Sequence, residues 1–146
     1  MSKKFCQALY DQNNQFGIDT AKSFLQGQGY EFVNAIEAYR SHDFIVKKEN
    51  KLYKIEVEVS RIWKDKPFPF RTMTVPHRKH HSQADFFIQT NVLGNSLQFC
   101  PMTTVKSADI ITKDTRYTTN EKFFSVPLNT TQHFIFENGV WSPSTF

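Results

Sequence analysis

The sequence predicts an α/β (α+β) fold, in which helices flank a mixed central β-sheet, and two observations carry this prediction. Apolar residues recur with helical spacing near the N-terminus and again after residue 102, and short runs of strand-forming residues follow one another between them. Helices first, then a meander of strands with one later helix, is an element order typical of such domains.

Each element follows from a local pattern. Two N-terminal helices are expected, separated by a polar connection over Gln12–Gly17, and the prolines of Lys64–Phe70 make that segment a loop. The remaining elements are, in chain order, a helix at Lys3–Asp11, a helix from Asp19 or Thr20 to Gly27, a hairpin within His42–Ser60, strands at Arg71–Val75, Ala84–Thr90 and Asn95–Cys100, a helix at Thr103–Thr112, and strands at Phe123–Val126 and His133–Phe136.

The bulk composition is that of a folded, mildly basic protein. A chain of 146 residues with 39% hydrophobic and 22% charged residues is predicted to form one domain, residues 1–146. The net charge of +4 suits a protein that meets polyanions. Cys6 and Cys100 lack metal-ligand spacing, and no apolar run suggests a signal peptide or a membrane span. The expectation is a cytoplasmic protein of a bacterial or phage-infected cell, with no membrane partner.

The hairpin within His42–Ser60 is the most informative stretch. Side chains alternate along a strand, so Lys54, Glu56 and Glu58 share one face. A two-residue turn at Glu49-Asn50 would place Asp43 opposite Glu56, and a four-residue turn would place it opposite Glu58. Either register gathers three carboxylates on one face.

Three carboxylates on a rigid face repel one another unless a positive charge lies among them. Mg²⁺ suits such a face, since it binds one or two carboxylates together with waters and substrate phosphates, and Mn²⁺ is a possible substitute. A metal ion at Asp43, Glu56 and Glu58 would activate water, and Lys54 on the same face would contact a phosphate. The alternative is an ordinary solvated sheet face.

The order Asp43, twelve residues, then Glu56-Val57-Glu58 resembles the signature of the PD-(D/E)XK, or restriction-endonuclease-like, nucleases. In that family an Asp on one strand and a (D/E)-x-K on the next, behind an N-terminal helix, bind Mg²⁺ and cleave nucleic acid. The resemblance covers mainly residues 19–60. The run PFRTMTVPHRKHHSQADFFIQTN is similar to small phage-type and bacterial nucleases of this group. The resemblance implies a restriction-endonuclease-like domain in which Asp43, Glu56 and Glu58 are catalytic.

Two positions depart from the family pattern. His42 stands where the family has Pro, and Glu58 stands where it has Lys. Some restriction enzymes of the family carry E-x-E at this place and remain active. Lys54 or Lys47 would then take the role of the lysine, or a second metal bound by Glu58 would do so; otherwise the chain binds nucleic acid without cutting it.

A basic cluster follows the hairpin. Phosphate contacts by cationic side chains supply affinity for nucleic acid and fix its position. Trp63, Phe68 and Phe70 would stack on bases or enter the core. The alternative for the cluster is a solvated basic turn. The residues predicted to bind nucleic acid are Arg61, Lys64, Arg71, Arg78, Lys79 and His80.

The function predicted from these residues is that of a metal-dependent endonuclease, a hydrolase acting on phosphodiester bonds of nucleic acid, with DNA as the first candidate. Cutting both strands of a duplex would call for a homodimer or a structured substrate. Two alternatives stay open: a catalytically inactive nucleic-acid-binding protein, and a phage-type inhibitor or protein-interaction module.

Overall fold

The computed structural model describes residues 7–33, 43–115 and 119–144, and the side chains among them from Gln15 onwards. Cys6, His42 and the start of the predicted Lys3–Asp11 helix lie outside this set. The elements are α1 (Gln7–Gly27), β1 (Glu31–Val33), β2 (Phe44–Lys48), β3 (Lys51–Val59), β4 (Thr72–Pro76), β5 (Phe86–Thr90), β6 (Ser96–Pro101), α2 (Met102–Lys106), β7 (Asp109–Lys113), β8 (Glu121–Pro127), β9 (Gln132–Glu137) and β10 (Val140–Ser144), with 3₁₀ turns at His77–His81 and Leu128–Thr130.

The strands form two sheets. The large sheet has seven strands in the order β1-β2-β3-β5-β6-β9-β10, and the small sheet has three in the order β4-β8-β7. Strands β3 and β5 run parallel, which makes the large sheet mixed, and its other neighbouring pairs are antiparallel. The crossover from β3 to β5 passes through β4 and the His77–His81 turn, so this connection delivers the basic cluster to the sheet.

The prediction of an α/β fold with a helix-flanked sheet is wrong, because the described residues form a small β-rich fold with a curled seven-stranded sheet and two α-helices. The predicted helix Thr103–Thr112 splits into the one-turn helix α2 and the strand β7. Its second half carries Ile110, Ile111 and Thr112, whose β-branched side chains favour strands. Sequence spacing does not separate the two states in so short an apolar run.

The N-terminal residues form one helix, where two had been expected. Helix α1 runs unbroken through the segment Gln12–Gly17 that was predicted as a connection. Ala21, Phe24 and Leu25 are fully buried against the large sheet. A Cβ on Gly17 would lie 2.8 Å from Cγ2 of Val59, so this glycine permits the close approach of α1 to β3.

Replacing Gly17 with Ala is expected to destabilise the protein. Helix propensity favours Ala by about 1 kcal/mol, but the clash with the stiff, β-branched Val59 side chain forces a shift of helix against sheet that costs about 1–3 kcal/mol. Gly27→Ala is the matched control, because a Cβ there meets nothing within 4 Å. In urea denaturation, the midpoint of Gly17→Ala should fall below that of wild type, and the midpoint of Gly27→Ala should not. Equal midpoints for the two variants would contradict close packing at Gly17.

Each face of the large sheet has its own apolar core. The first core lies under α1 and takes Val46, Ile55 and Val57 from the hairpin. The second core lies between the sheets and includes Phe87 of β5 and Val75 of β4. Since strand side chains alternate, Glu56 and Glu58 point from β3 towards the side of the second core.

The hairpin has the two-residue turn considered above. Glu49 and Asn50 both have positive φ, of 52° and 64°, and Lys48 pairs with Lys51. This turn type matches the twist of the two strands. Phe44 pairs with Ile55, and continuing the register by one residue places Asp43 across from Glu56. The predicted juxtaposition of these two acids is therefore confirmed.

Candidate functional site

The acidic site, consisting of Asp43, Glu56 and Glu58 together with Lys79, lies where the hairpin meets the crossover. Asp43 directly precedes β2, and its Oδ2 accepts a hydrogen bond of 2.7 Å from the backbone N–H of Val57. Its carboxyl group is also within hydrogen-bonding reach of the Glu56 side chain. The two acids on neighbouring strands thus form a direct carboxyl pair.

Glu56 is held from the other side by the crossover. Lys79 Nζ lies 2.6 Å from Oε2 of Glu56, and Ser82 Oγ donates to Oε1 at 3.2 Å. The side chains of the ion pair are only 18% (Lys79) and 10% (Glu56) exposed. Lys106 Nζ donates to the Ser82 carbonyl at 2.6 Å, which ties the end of the basic turn to α2. The Lys79 ammonium is therefore a fixed part of the site.

Glu58 has a separate support. Gln89 of β5, its register partner, donates from Nε2 to Glu58 Oε1 at 2.9 Å and contacts the Thr74 carbonyl of β4 at 3.2 Å. Burial raises the pKa of Glu58, while the charge of Lys79, the Gln89 hydrogen bond and the charge of Arg78 act in the opposite direction. Gln89 therefore fixes Glu58 between the two sheets.

The charges of the site do not balance. Burial, and then the charge of Glu56, raise the pKa of Asp43 to about 7, against the lowering effects of the Val57 N–H and Lys79. Burial acts to lower the pKa of Lys79, but the attraction of Glu56, Glu58 and Asp43 prevails and raises it. Three carboxyls around one partly buried ammonium leave an excess of negative charge that a proton or a further cation would neutralise.

The oxygen donors suit a hard divalent cation, but in a smaller set than predicted. Among the described residues, no three His, Cys, Asp or Glu side chains lie close enough together to hold a metal ion. Asp43 and Glu56 do contact each other, whereas Gln89 holds Glu58. Two carboxylates, completed by waters and phosphate oxygens, are a usual ligand set for Mg²⁺. The chemistry of the Asp43–Glu56 pair and its excess negative charge thus fit Mg²⁺.

The lysine that contacts the acids is Lys79, which is predicted to bind nucleic acid, whereas Lys54 is the lysine predicted to assist at the acidic site. Lys54 lies on the same face of β3 as Glu56, and its main chain pairs with Asp85: its N–H donates to Asp85 Oδ2 at 2.8 Å, and its carbonyl accepts from the Asp85 N–H at 2.8 Å. Lys79 lies 23 residues after Glu56 in the sequence. No local spacing predicts such a contact, because the crossover creates it.

The other predicted nucleic-acid-binding residues lie in two parts of the structure, first the His77–His81 turn and second the loop between β3 and β4. Arg78 is exposed beside the acidic site, where its charge acts on Glu58. Loss of hydration, and then the charges of His81 and His77, lower the pKa of His80 from its usual 6.5, which favours the neutral ring. The residues in the second place, the loop between β3 and β4, are exposed: Arg61, Lys64 and Arg71.

The aromatic residues of that loop differ in how far they are buried. Trp63 is fully buried, and its Nε1 donates to the Pro67 carbonyl at 3.1 Å, which excludes it from base stacking. Phe70 is 41% exposed and packs edge-on against Phe68. Of the three predicted stacking candidates, Phe70 offers the most accessible ring beside a basic side chain, Arg71.

A row of buried polar residues crosses the large sheet next to the site, and the sequence reasoning missed it. Successive register pairs join Glu58 to Gln89, Gln89 to Gln98, and Gln98 to His133. The Oε1 atom of Gln98 accepts from Thr131 Oγ1 at 2.7 Å. Buried amides cost stability unless they are bonded, so glutamines at core positions of β5 and β6 were the available signal.

Comparisons with protein-family models, with curated proteins and with solved structures returned no match. No helix in the described part of the chain combines the length and the apolar character that crossing a membrane requires.

Proposed function

We propose that this chain is a metal-dependent endonuclease that hydrolyses phosphodiester bonds in nucleic acid, with DNA as the first substrate to test. The observation that carries the proposal is the partly buried Asp43–Glu56 carboxyl pair, which combines excess negative charge with an adjacent ammonium, that of Lys79. Acids paired in this way destabilise the fold, which is typical of groups retained for chemistry. The resemblance to the nuclease motif supports the same reading.

In this proposal each residue has a distinct task. Asp43 and Glu56 would hold Mg²⁺, or Mn²⁺ in its place, and the chemistry supplied there would be activation of water and neutralisation of charge at the scissile phosphate. Lys79, released in part from Glu56, binds a phosphate oxygen, and Arg78 holds a flanking phosphate. Glu58, oriented by Gln89, accepts a proton from the attacking water.

Supercoiled plasmid tests the proposal directly. Wild type with Mg²⁺ or Mn²⁺ should convert the plasmid to nicked or linear forms, and EDTA should stop the reaction. Asp43→Ala and Glu56→Ala should each lower the rate by at least about tenfold, the lower end of the loss seen when even a residue that supports a metal ligand is removed. Glu137→Ala, at an exposed surface ion pair with Lys66, is the control and should retain the activity. Equal rates in all four proteins would contradict the proposal.

The Lys79–Glu56 ion pair favours a second candidate function. Because Lys79 already pairs with Glu56, this carboxylate has a positive partner without a metal, as expected for a nucleic-acid-binding protein that does not cut. Fluorescence anisotropy with labelled duplex and single-stranded DNA separates the two functions. If wild type binds DNA in a salt-sensitive way but does not cleave it with either Mg²⁺ or Mn²⁺, the result would favour this candidate over the nuclease.

A further inference from the structure

Strand β7 is an exposed edge of the small sheet. Its inner side pairs with β8, in the register Asp109 to Ser125 through Lys113 to Glu121. In the part of the chain that the structure describes, no strand pairs with its outer side. All five residues are exposed, with Ile110 at 53% and Ile111 at 38%. An open edge with apolar side chains presents unpaired backbone groups to another strand.

The edges of the large sheet differ from β7. Strand β1 has three residues, and β10 contains Pro143, which has no N–H to donate. Short edge strands and edge prolines are common ways of blocking a further strand. Strand β7 has neither feature, and charged side chains occur only at its two ends.

We propose that β7 is a homodimer interface, in which two copies pair antiparallel about Ile111 and join their small sheets into one. The sequence Asp-Ile-Ile-Thr-Lys is self-complementary in this register. Asp109 of each copy faces Lys113 of the other, and the two Ile111 side chains meet on the axis. Antiparallel pairs with opposite charges at the ends and an apolar pair at the centre stabilise a sheet.

The charges within one copy agree with this arrangement. Asp109 lies opposite the uncharged Ser125, so its own sheet partner brings no cation to it. Lys113 lies opposite Glu121, and its ammonium is 4.8 Å from the centre of the Phe123 ring. In the dimer a second acid, Asp109 of the other copy, would join Glu121 around the Lys113 ammonium. A two-fold axis repeats each favourable pair, which is the usual form of a homodimer contact.

Sedimentation velocity over a wide concentration range at low salt tests the interface. Wild type should pass from monomer to dimer; Asp109→Lys and Lys113→Asp should each weaken dimerisation by at least about tenfold, because like charges then meet twice. The double variant should dimerise like wild type. Lys122→Asp, the same charge change on the central strand β8, should have no effect. A wild-type monomer throughout, or a double variant that fails to recover, would overturn the proposal.

Disulfide trapping tests the register independently of charge. Ile111→Cys should form a covalent dimer under mild oxidation, because cross-strand partners have the Cα separation that a disulfide needs. Ile110→Cys, which faces Thr112 of the other copy in this register, should crosslink far less. Wild type supplies the background from Cys6 and Cys100. Equal crosslinking of both variants would overturn the register centred on Ile111. Neither experiment depends on nuclease activity.

Discussion

Asp43→Asn is expected to raise the thermal stability of the protein above pH 7 while it abolishes cleavage. Burial and the charge of Glu56 raise the pKa of Asp43 to about 7, so ionising this residue destabilises the folded state. Asparagine removes the charge, and its Oδ1 can still accept the hydrogen bond from the Val57 N–H. The free energy of unfolding should rise by a few kcal/mol, at about 1.4 kcal/mol per pKa unit.

The pH dependence of this gain has a definite sign. The pKa of Asp43 is about 7 in the folded protein, against 3.8 for the free residue. Below about pH 3 the carboxyl is protonated in both states and costs nothing. Between about pH 4 and 7 the unfolded chain binds fewer protons than the folded one, so wild type loses stability as the pH rises. The melting temperatures of wild type and Asp43→Asn should therefore coincide near pH 4 and diverge up to pH 7.

Thermal melts followed by circular dichroism from pH 4 to 9 measure this effect. Glu137→Gln is the control, since its carboxylate lies in the exposed ion pair with Lys66 and its loss should cost less than about 1 kcal/mol. A lower melting temperature for Asp43→Asn than for wild type at pH 8 would contradict the repulsion between Asp43 and Glu56.

The same melts test the metal ion. A cation bound only by the folded protein raises the melting temperature by mass action. At pH 8, Mg²⁺ or Mn²⁺ should stabilise wild type, and should stabilise Asp43→Asn much less. A wild type that responds to neither ion would contradict the metal site, even if the carboxyl repulsion were confirmed by the pH series.

The hairpin was readable from sequence because its signals are local. Strand alternation assigned Asp43, Glu56 and Glu58 to one face, and the Glu49-Asn50 turn set the register that brings Asp43 to Glu56. Side-chain parity requires no knowledge of the rest of the fold. Strand alternation does not predict how deeply a side chain is buried, because burial depends on which elements pack on that face of the sheet.

The packing that buries the acidic face of β3 could not be predicted from the sequence. A second sheet, made by β4, β7 and β8, covers the acidic face of the large sheet, where flanking helices are predicted. Strands β4 and β8 match predicted strands, whereas β7 lies in the predicted helix Thr103–Thr112. The crossover between β3 and β5 brings Lys79 and Ser82 onto Glu56 from more than 20 residues away. These contacts depend on a long-range arrangement, and the periodicity of neither segment records it. Lys79, which is predicted to bind nucleic acid as part of the basic cluster, is thus the ion-pair partner of a buried acid.

The unbroken helix α1 shows a related limit. Glycine and a polar run usually mark the end of a helix. Gly17 instead occupies a helix interior, because Val57 and Val59 leave no room for a Cβ there. Its role depends on the packing of α1 against β3, which a reading of local propensity does not contain.

Lys79→Met is expected to cost both stability and activity, and it separates the roles of the two candidate lysines. Removing one partner of a mostly buried ion pair leaves the Glu56 charge unpaired, which costs about 3–5 kcal/mol. Lys54→Met, the same substitution at a lysine on the Glu56 face of β3, should cost less than about 1 kcal/mol, the range for surface charges.

The double variant Lys79→Met/Glu56→Gln distinguishes a structural lysine from one that binds substrate. Removing both charges should restore most of the stability, since no unpaired ion remains. Cleavage should stay lost, and the salt dependence of DNA binding should fall by about one phosphate contact relative to Glu56→Gln alone. An unchanged salt dependence would restrict Lys79 to holding Glu56. Lys79→Arg preserves the positive charge beside Glu56 but not the compact ammonium. If Lys79→Arg keeps cleavage and Lys54→Met loses it, the lysine that binds the phosphate is Lys54.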